Sequence, residues 1–157
     1  MTAKELCEEI NIEIEMIEST LQELSELLRD LSGKDPSMRE KIAAAAFIAQ
    51  FYSGIENILK RISHYYSVIL PTGDTWHIDL FKRFCEPPYN HLPALFDESL
   101  ALAMAQYRKF RHVVYHSYVF QIDWNRLQEG IGGTEDVYLR FKSRLNEYLK
   151  TVMPEEK

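Results

Sequence analysis

The chain has 157 residues, 46% of them hydrophobic, six glycines, six prolines and a formal net charge of −6. That length suits one domain with a substantial core, and the sparse glycine and proline favour helices. Cys7 and Cys85 are too few and too far apart for a disulfide framework, and the net acidity disfavours broad electrostatic binding to duplex nucleic acid.

Met1–Glu5 lacks a signal peptide's apolar run, and no stretch approaches the ~20 uninterrupted apolar residues that span a bilayer. The expectation is a cytoplasmic protein with no membrane segment. From Thr2 to Leu31, Ala3, Cys7, Ile10, Ile14, Ile17, Leu21, Leu24, Leu28 and Leu31 step by alternating fours and threes, the heptad seam of a long helix. Gly33 suits its C-cap, and Asp35 with Pro36 suits the start of a second helix running to about Leu70. Ile48, Phe51, Ile55, Ile58, Ile62, Tyr65 and Ile69 repeat the spacing, so the two helices are expected to pair antiparallel. Tyr52, Leu59 and Tyr66 widen the apolar face. Gly54 costs stability there unless another backbone approaches it. The Tyr65–Tyr66 pair reads as packing.

Pro71-Thr72-Gly73 ends the second helix, and Asp74 or Thr75 can cap a short third one from Trp76 to Phe84. Glu86–Asn90, with adjacent prolines, is a connector. A fourth helix, expected from near Pro93, carries Leu95, Leu100, Leu102, Met104, Ala105 and Phe110 toward a polar cluster. Gln121 to Gln128 reads as a short helical turn and Thr134–Val152 as the last helix. The Gly130–Gly133 run between them reads as a linker; no strand precedes it and no Lys-Ser/Thr follows, which disfavours a phosphate loop. The expected architecture is all-α, an antiparallel bundle of about five helices with two long N-terminal helices, one domain over residues 1–157.

The charge is unevenly spread. Residues 1–40 hold eleven Asp and Glu against four Lys and Arg, whereas residues 41–157 hold thirteen against fourteen. The acidity therefore belongs to the first helix and its turn, and a local phosphate site remains open. Arg108, Lys109 and Arg111 form the cluster of interest; Lys82-Arg83 and Arg140, Lys142 and Arg144 read as solvated helix faces.

Arg111-His112-Val113-Val114-Tyr115-His116-Ser117-Tyr118 concentrates the chemistry. Arginine grips phosphate bidentately and is always charged, while histidine moves protons near neutrality. Together they meet the needs of metal-free phosphodiester cleavage, charge stabilisation and acid–base catalysis. The competing chemistry is metal binding, since His112 and His116 share a helix face. A His-Glu-x-x-His site needs Glu at position 113, where Val stands, and no cysteine lies nearby, so neither metal nor cofactor is expected. The plain structural reading makes Arg111 an ion-pair partner, His116 a helix-end cation and Tyr118 a core phenol. Arg111 and His116 lie about 140° apart on an ideal helix, while Arg111, Tyr115 and Tyr118 share a stripe. Either the helix ends or distorts within the motif, or the centre draws on two chains.

Arg111, His116 and Tyr118 form Arg-x4-His-x-Tyr, which resembles the signature of HepT-like toxins in the HEPN superfamily. His112, a polar residue directly after the arginine, is similar too, as are Tyr107–Phe110, Phe120–Asp123 and Pro71–His77. By eye the resemblance runs from about Ile42 to Trp124. It implies a homodimeric endoribonuclease with Arg111 and His116 catalytic and His112, Tyr118 and Arg108 supporting. His116 would deprotonate a ribose 2′-hydroxyl, and Arg111 would stabilise the transition state. His112 or His116 of the partner subunit would protonate the 5′-oxygen, leaving a 2′,3′-cyclic phosphate. Tyr118 would hold the phosphate or orient His116. The resemblance also implies a minimal nucleotidyltransferase antitoxin that adenylylates Tyr118. Two other readings stay open: a non-catalytic docking subunit for a nucleotidyltransferase, and a structural adaptor built on the first helix's seam.

Overall fold

Thr2 and Ser37 start the two long helices in the same way. Each hydroxyl accepts from the amide three residues on, at Glu5 and Glu40, and each of those carboxylates accepts from the capping residue's own amide. The resulting α1 (Ala3–Leu31) and α2 (Met38–Tyr65) lead a computed structural model that describes residues 1–153. It continues through α3 (Trp76–Lys82), α4 (Glu98–His116), a 3-10 turn at Val119–Gln121 and α5 (Trp124–Val152). The described residues contain no strand, only an isolated bridge between Cys85 and Phe96. The fold is the expected all-α bundle of five helices.

The heptad seam of α1 does what its spacing requires. Ile10, Ile17, Leu24 and Leu31 are buried with Leu6, and Ile14, Leu21 and Leu28 pack at their edge. Arg61 donates to both Glu9 and Glu13, and Ile17 lies against Gly54, so position falls along α2 as it rises along α1. The pair is antiparallel. At Gly54 a side chain, not a backbone, makes the close approach: a Cβ there would stand 2.5 Å from Ile17 Cγ1. Ser37 rather than Asp35 caps α2, and the helix ends at Tyr65 instead of Leu70. Ser67, with φ of 55°, turns the chain away and leaves Ile69 exposed. Tyr66 stays packed, receiving a hydrogen bond from the Tyr148 hydroxyl of α5.

The central helix α2 is long and apolar enough to pass for a membrane span, with a mean hydropathy of 1.3 in its most apolar window. Its buried residues, among them Ile48, Phe51, Tyr52, Ile55, Ile58 and Leu59, are instead covered by neighbouring helices of the bundle. Its hydrophobicity is that of a core helix.

Two further expectations fail, for identifiable reasons. The fourth helix does not begin near Pro93. Leu95 and Phe96 run extended, donating their amides to the Phe84 carbonyl while burying their side chains, and α4 starts after Asp97 caps the Leu100 amide. The new phase puts Leu102 at the surface, 69% exposed, and buries Tyr107. The glycine run is not a linker either: α5 passes straight through Gly130–Gly133. Two of these glycines admit α4. A Cβ at Gly130 would come within 2.9 Å of the Phe110 ring, and one at Gly133 within 2.8 Å of the Tyr107 hydroxyl. That hydroxyl, its pKa pushed up to about 12 by burial, stays protonated and donates to the Gly130 carbonyl at 2.7 Å. Close packing of α4 on α5 offsets the ~1 kcal/mol that each helical glycine costs.

Gly132 faces open space. Gly132→Ala should therefore raise stability by about 0.5–1 kcal/mol, while Gly130→Ala should lower it by about 1–3 kcal/mol through overpacking against Phe110. Thermal melts of the two variants, which should move in opposite directions, check this.

Candidate functional site

Across the apolar face of α2 runs a narrow polar stripe. Tyr52, Ser53, Glu56 and Lys60 recur at three- and four-residue spacing, so they share one side of the helix. Glu56 is only 2% exposed, and a carboxylate so buried needs partners. It finds them on α3: His77 Nδ1 lies 2.7 Å from Glu56 Oε2, with Lys60 Nζ at 4.0 Å from the other oxygen. The Trp76 ring lies against the His77 imidazole, 3.4 Å between centroids, and Lys60 Nζ sits over the Trp76 ring at 4.6 Å. Carboxylate and indole together fix the imidazole plane.

The third element is α4, which brings Arg111 to the same place. Its Nε donates to Ser53 Oγ at 2.8 Å, and its Nη1 lies 3.4 Å from His77 Nε2. Tyr115, one turn on, stacks beneath the guanidinium at 4.6 Å. An arginine N–H can only donate, so this contact assigns the lone pair to Nε2 and, in the neutral tautomer, the proton to Nδ1, toward Glu56. Among the described residues no carboxylate pairs with Arg111. Within the described residues the ion-pair reading of Arg111 finds no partner, and a half-buried cation faces the imidazole.

Tyr52 and Arg108 complete the floor. The Tyr52 hydroxyl is buried without a hydrogen-bond partner among the described residues; burial chiefly, then the Glu56 charge, push its pKa upward, while the Arg108 and Arg111 charges pull it down. The phenol is therefore neutral. Arg108 turns inward, with its guanidinium 6.0 Å from the Phe81 ring and its Nε unpaired. Lys109 points to the other side of α4, lining a cleft with Arg126 and Asp123.

The remaining motif residues sit elsewhere on α4. The helix stays regular through His116 and ends at Ser117, so no distortion brings His116 round to Arg111. His112 and His116 are exposed, their rings 4.3 Å apart. His116 lies in the last turn of the helix. Tyr118 is no core phenol: it is 70% exposed and stacks on Phe120, 5.3 Å between centroids. Lys41 of α2 anchors this turn through the Phe120 carbonyl at 3.4 Å. Within one chain the motif thus divides into Arg111 in the polar floor and His116 at the surface.

Ser53, Glu56 and His77 were not singled out from the sequence for chemistry. A glutamate set between Ile55 and Ile58 on a buried helix was the available signal. No group of three or more His, Cys, Asp or Glu among the described residues could hold a metal. Both cysteines are free.

The sequence model of the family described as HepT-like protein matches residues 43–152, which takes in most of α2 and the whole of α3, α4 and α5. No curated protein and no solved structure matches the chain.

Proposed function

The chain belongs to the HepT-like family, and from that premise we propose that it is a metal-independent endoribonuclease, the toxin of a toxin–antitoxin pair. The observation that carries the reading is Arg111 itself. Its guanidinium is held from two sides by Ser53 and His77, lacks a carboxylate partner among the described residues, and heads an Arg-x4-His spacing. A preorganised, unneutralised arginine is what a phosphorane-like transition state requires. Imidazole groups supply the proton transfers, and RNA is the substrate because DNA lacks the 2′-hydroxyl nucleophile.

A homodimer completes the centre. His116 stands off the Arg111 face on an undistorted helix, so the simplest way to join them is across a two-fold axis. The exposed Tyr115, Tyr118 and Phe120 near that end of α4 provide apolar surface for such contact. The protein acts in the cytoplasm, and its partner is a minimal nucleotidyltransferase that modifies Tyr118.

The test is RNA cleavage by purified protein in a chelator. Full activity with products ending in a 2′,3′-cyclic phosphate is expected. Loss of activity in chelator, restored by zinc or magnesium, would refute the metal-free mechanism. No cleavage of any RNA would favour a non-catalytic nucleotidyltransferase partner.

A further inference from the structure

Three facts about His77 go unused by Arg111 and His116 alone. Its Nδ1 is 2.7 Å from a carboxylate that is almost wholly buried; its ring lies against Trp76; and its Nε2 lone pair faces the Arg111 guanidinium at 3.4 Å. A histidine that only bridged two helices would not need its free nitrogen aimed at a cation poised to take phosphate. A buried carboxylate behind an imidazole fixes its tautomer and stabilises the imidazolium formed when the other nitrogen gains a proton.

We propose that His77, positioned by Glu56, is the general base of the cleavage, and that His116 of the partner subunit is the general acid. The proposal rests on the ribonuclease reading above. When Arg111 turns its Nη1 to a substrate phosphate, Nε2 of His77 is released beside it, within reach of the adjacent ribose 2′-hydroxyl. Nε2 takes the hydroxyl proton, and the 2′-oxygen forms a bond to phosphorus as the bond from phosphorus to the 5′-oxygen breaks. The departing 5′-oxygen takes a proton from the His116 imidazolium. The products are a 2′,3′-cyclic phosphate and a 5′-hydroxyl; His77 ends protonated and His116 neutral, and exchange with water resets both. Glu56 touches no substrate and is a positioning residue.

His77→Asn is the informative variant, because its amide N–H can keep the bond to Glu56 while nothing remains at the Nε2 position. Its kcat should fall on the order of 10²-fold or more with a near-native melting transition. Glu56→Gln should lower kcat on the order of 10-fold or more and leave KM unchanged, since the lost charge acts as the imidazolium forms in the transition state and not in substrate binding. A substrate with sulfur in place of the scissile 5′-oxygen separates the two histidines, because a thiolate leaves without a proton. On it His116→Ala should recover most of its activity and His77→Asn none. Recovery of His77→Asn on the thio substrate, or wild-type cleavage of ordinary RNA by His77→Asn, overturns the assignment while the ribonuclease reading stands. A wild-type chain that cuts no RNA overturns that reading and the role of His77 with it.

Discussion

Arg111→Ala is expected to lower kcat/KM at least ~10³-fold with the fold intact, the largest effect of any single substitution in the chain. The residue is half-buried but carries no ion pair among the described residues, so its removal orphans no carboxylate there, and Ser53 can turn to water. Loss of fold is therefore not the expected outcome. Arg111→Lys should recover little. Nε and Nη1 address two different partners in one plane, and a single ammonium reaches one of them. Steady-state cleavage with parallel melting curves measures both. Activity of Arg111→Lys within a few-fold of the wild type would mean that only the charge matters. The same variant tests the two-chain centre. In a 1:1 mixture of Arg111→Ala with His116→Ala chains, subunit exchange should restore about a quarter of the centres if each is built across the two-fold axis. No recovery in dimers shown to exchange would place both groups in one chain.

How much of this was readable in advance follows from how local each feature is. The seams of α1 and α2 are periodic signals, repeated over several turns, and the buried residues follow them closely. The glycine run misleads because local propensity cannot register a neighbour. Only the ring of Phe110 and the hydroxyl of Tyr107, brought by α4, make Gly130 and Gly133 good helix residues. The start of α4 shifts for a similar reason: Leu95 and Phe96 serve the core better extended, with both amides on the Phe84 carbonyl.

The candidate site divides along the same line. Arg111 and His116 share one short stretch of sequence, and their spacing is legible. Their separation around the helix is legible too, and it survives because α4 runs regular to Ser117. Ser53, Glu56 and His77 belong to other helices and meet Arg111 only after α2, α3 and α4 have packed. Glu56 is the residue that sequence periodicity could have flagged. A carboxylate inside the apolar face of a core helix breaks the binary pattern, and such breaks concentrate at functional sites.

Control through Tyr118 gives the second large effect. Coexpression with a cognate nucleotidyltransferase and ATP is expected to add one or more adenylate masses to the tryptic peptide carrying Tyr118, and to suppress RNA cleavage by on the order of 10²-fold or more. The geometry favours this tyrosine over its neighbours. Tyr118 follows the end of α4 with 70% of its surface exposed, so its hydroxyl can enter a partner's active site. Tyr107 is buried and its hydroxyl is committed to the Gly130 carbonyl, which removes it as an acceptor. Tyr115 is exposed but lies beneath the Arg111 guanidinium, so a transferase would have to break that stacking first. An adenylate on Tyr118 brings phosphate charge and a purine to the end of the helix that carries His116. There it competes with RNA for the arginines by charge and for the cleft by volume. Tyr118→Phe should escape modification and keep at least part of the cleavage activity, because the ring's stacking on Phe120 is preserved. Adenylate found on Tyr115 instead would move the control point onto Arg111 itself, and an unmodified chain beside an active transferase would remove this mode of control.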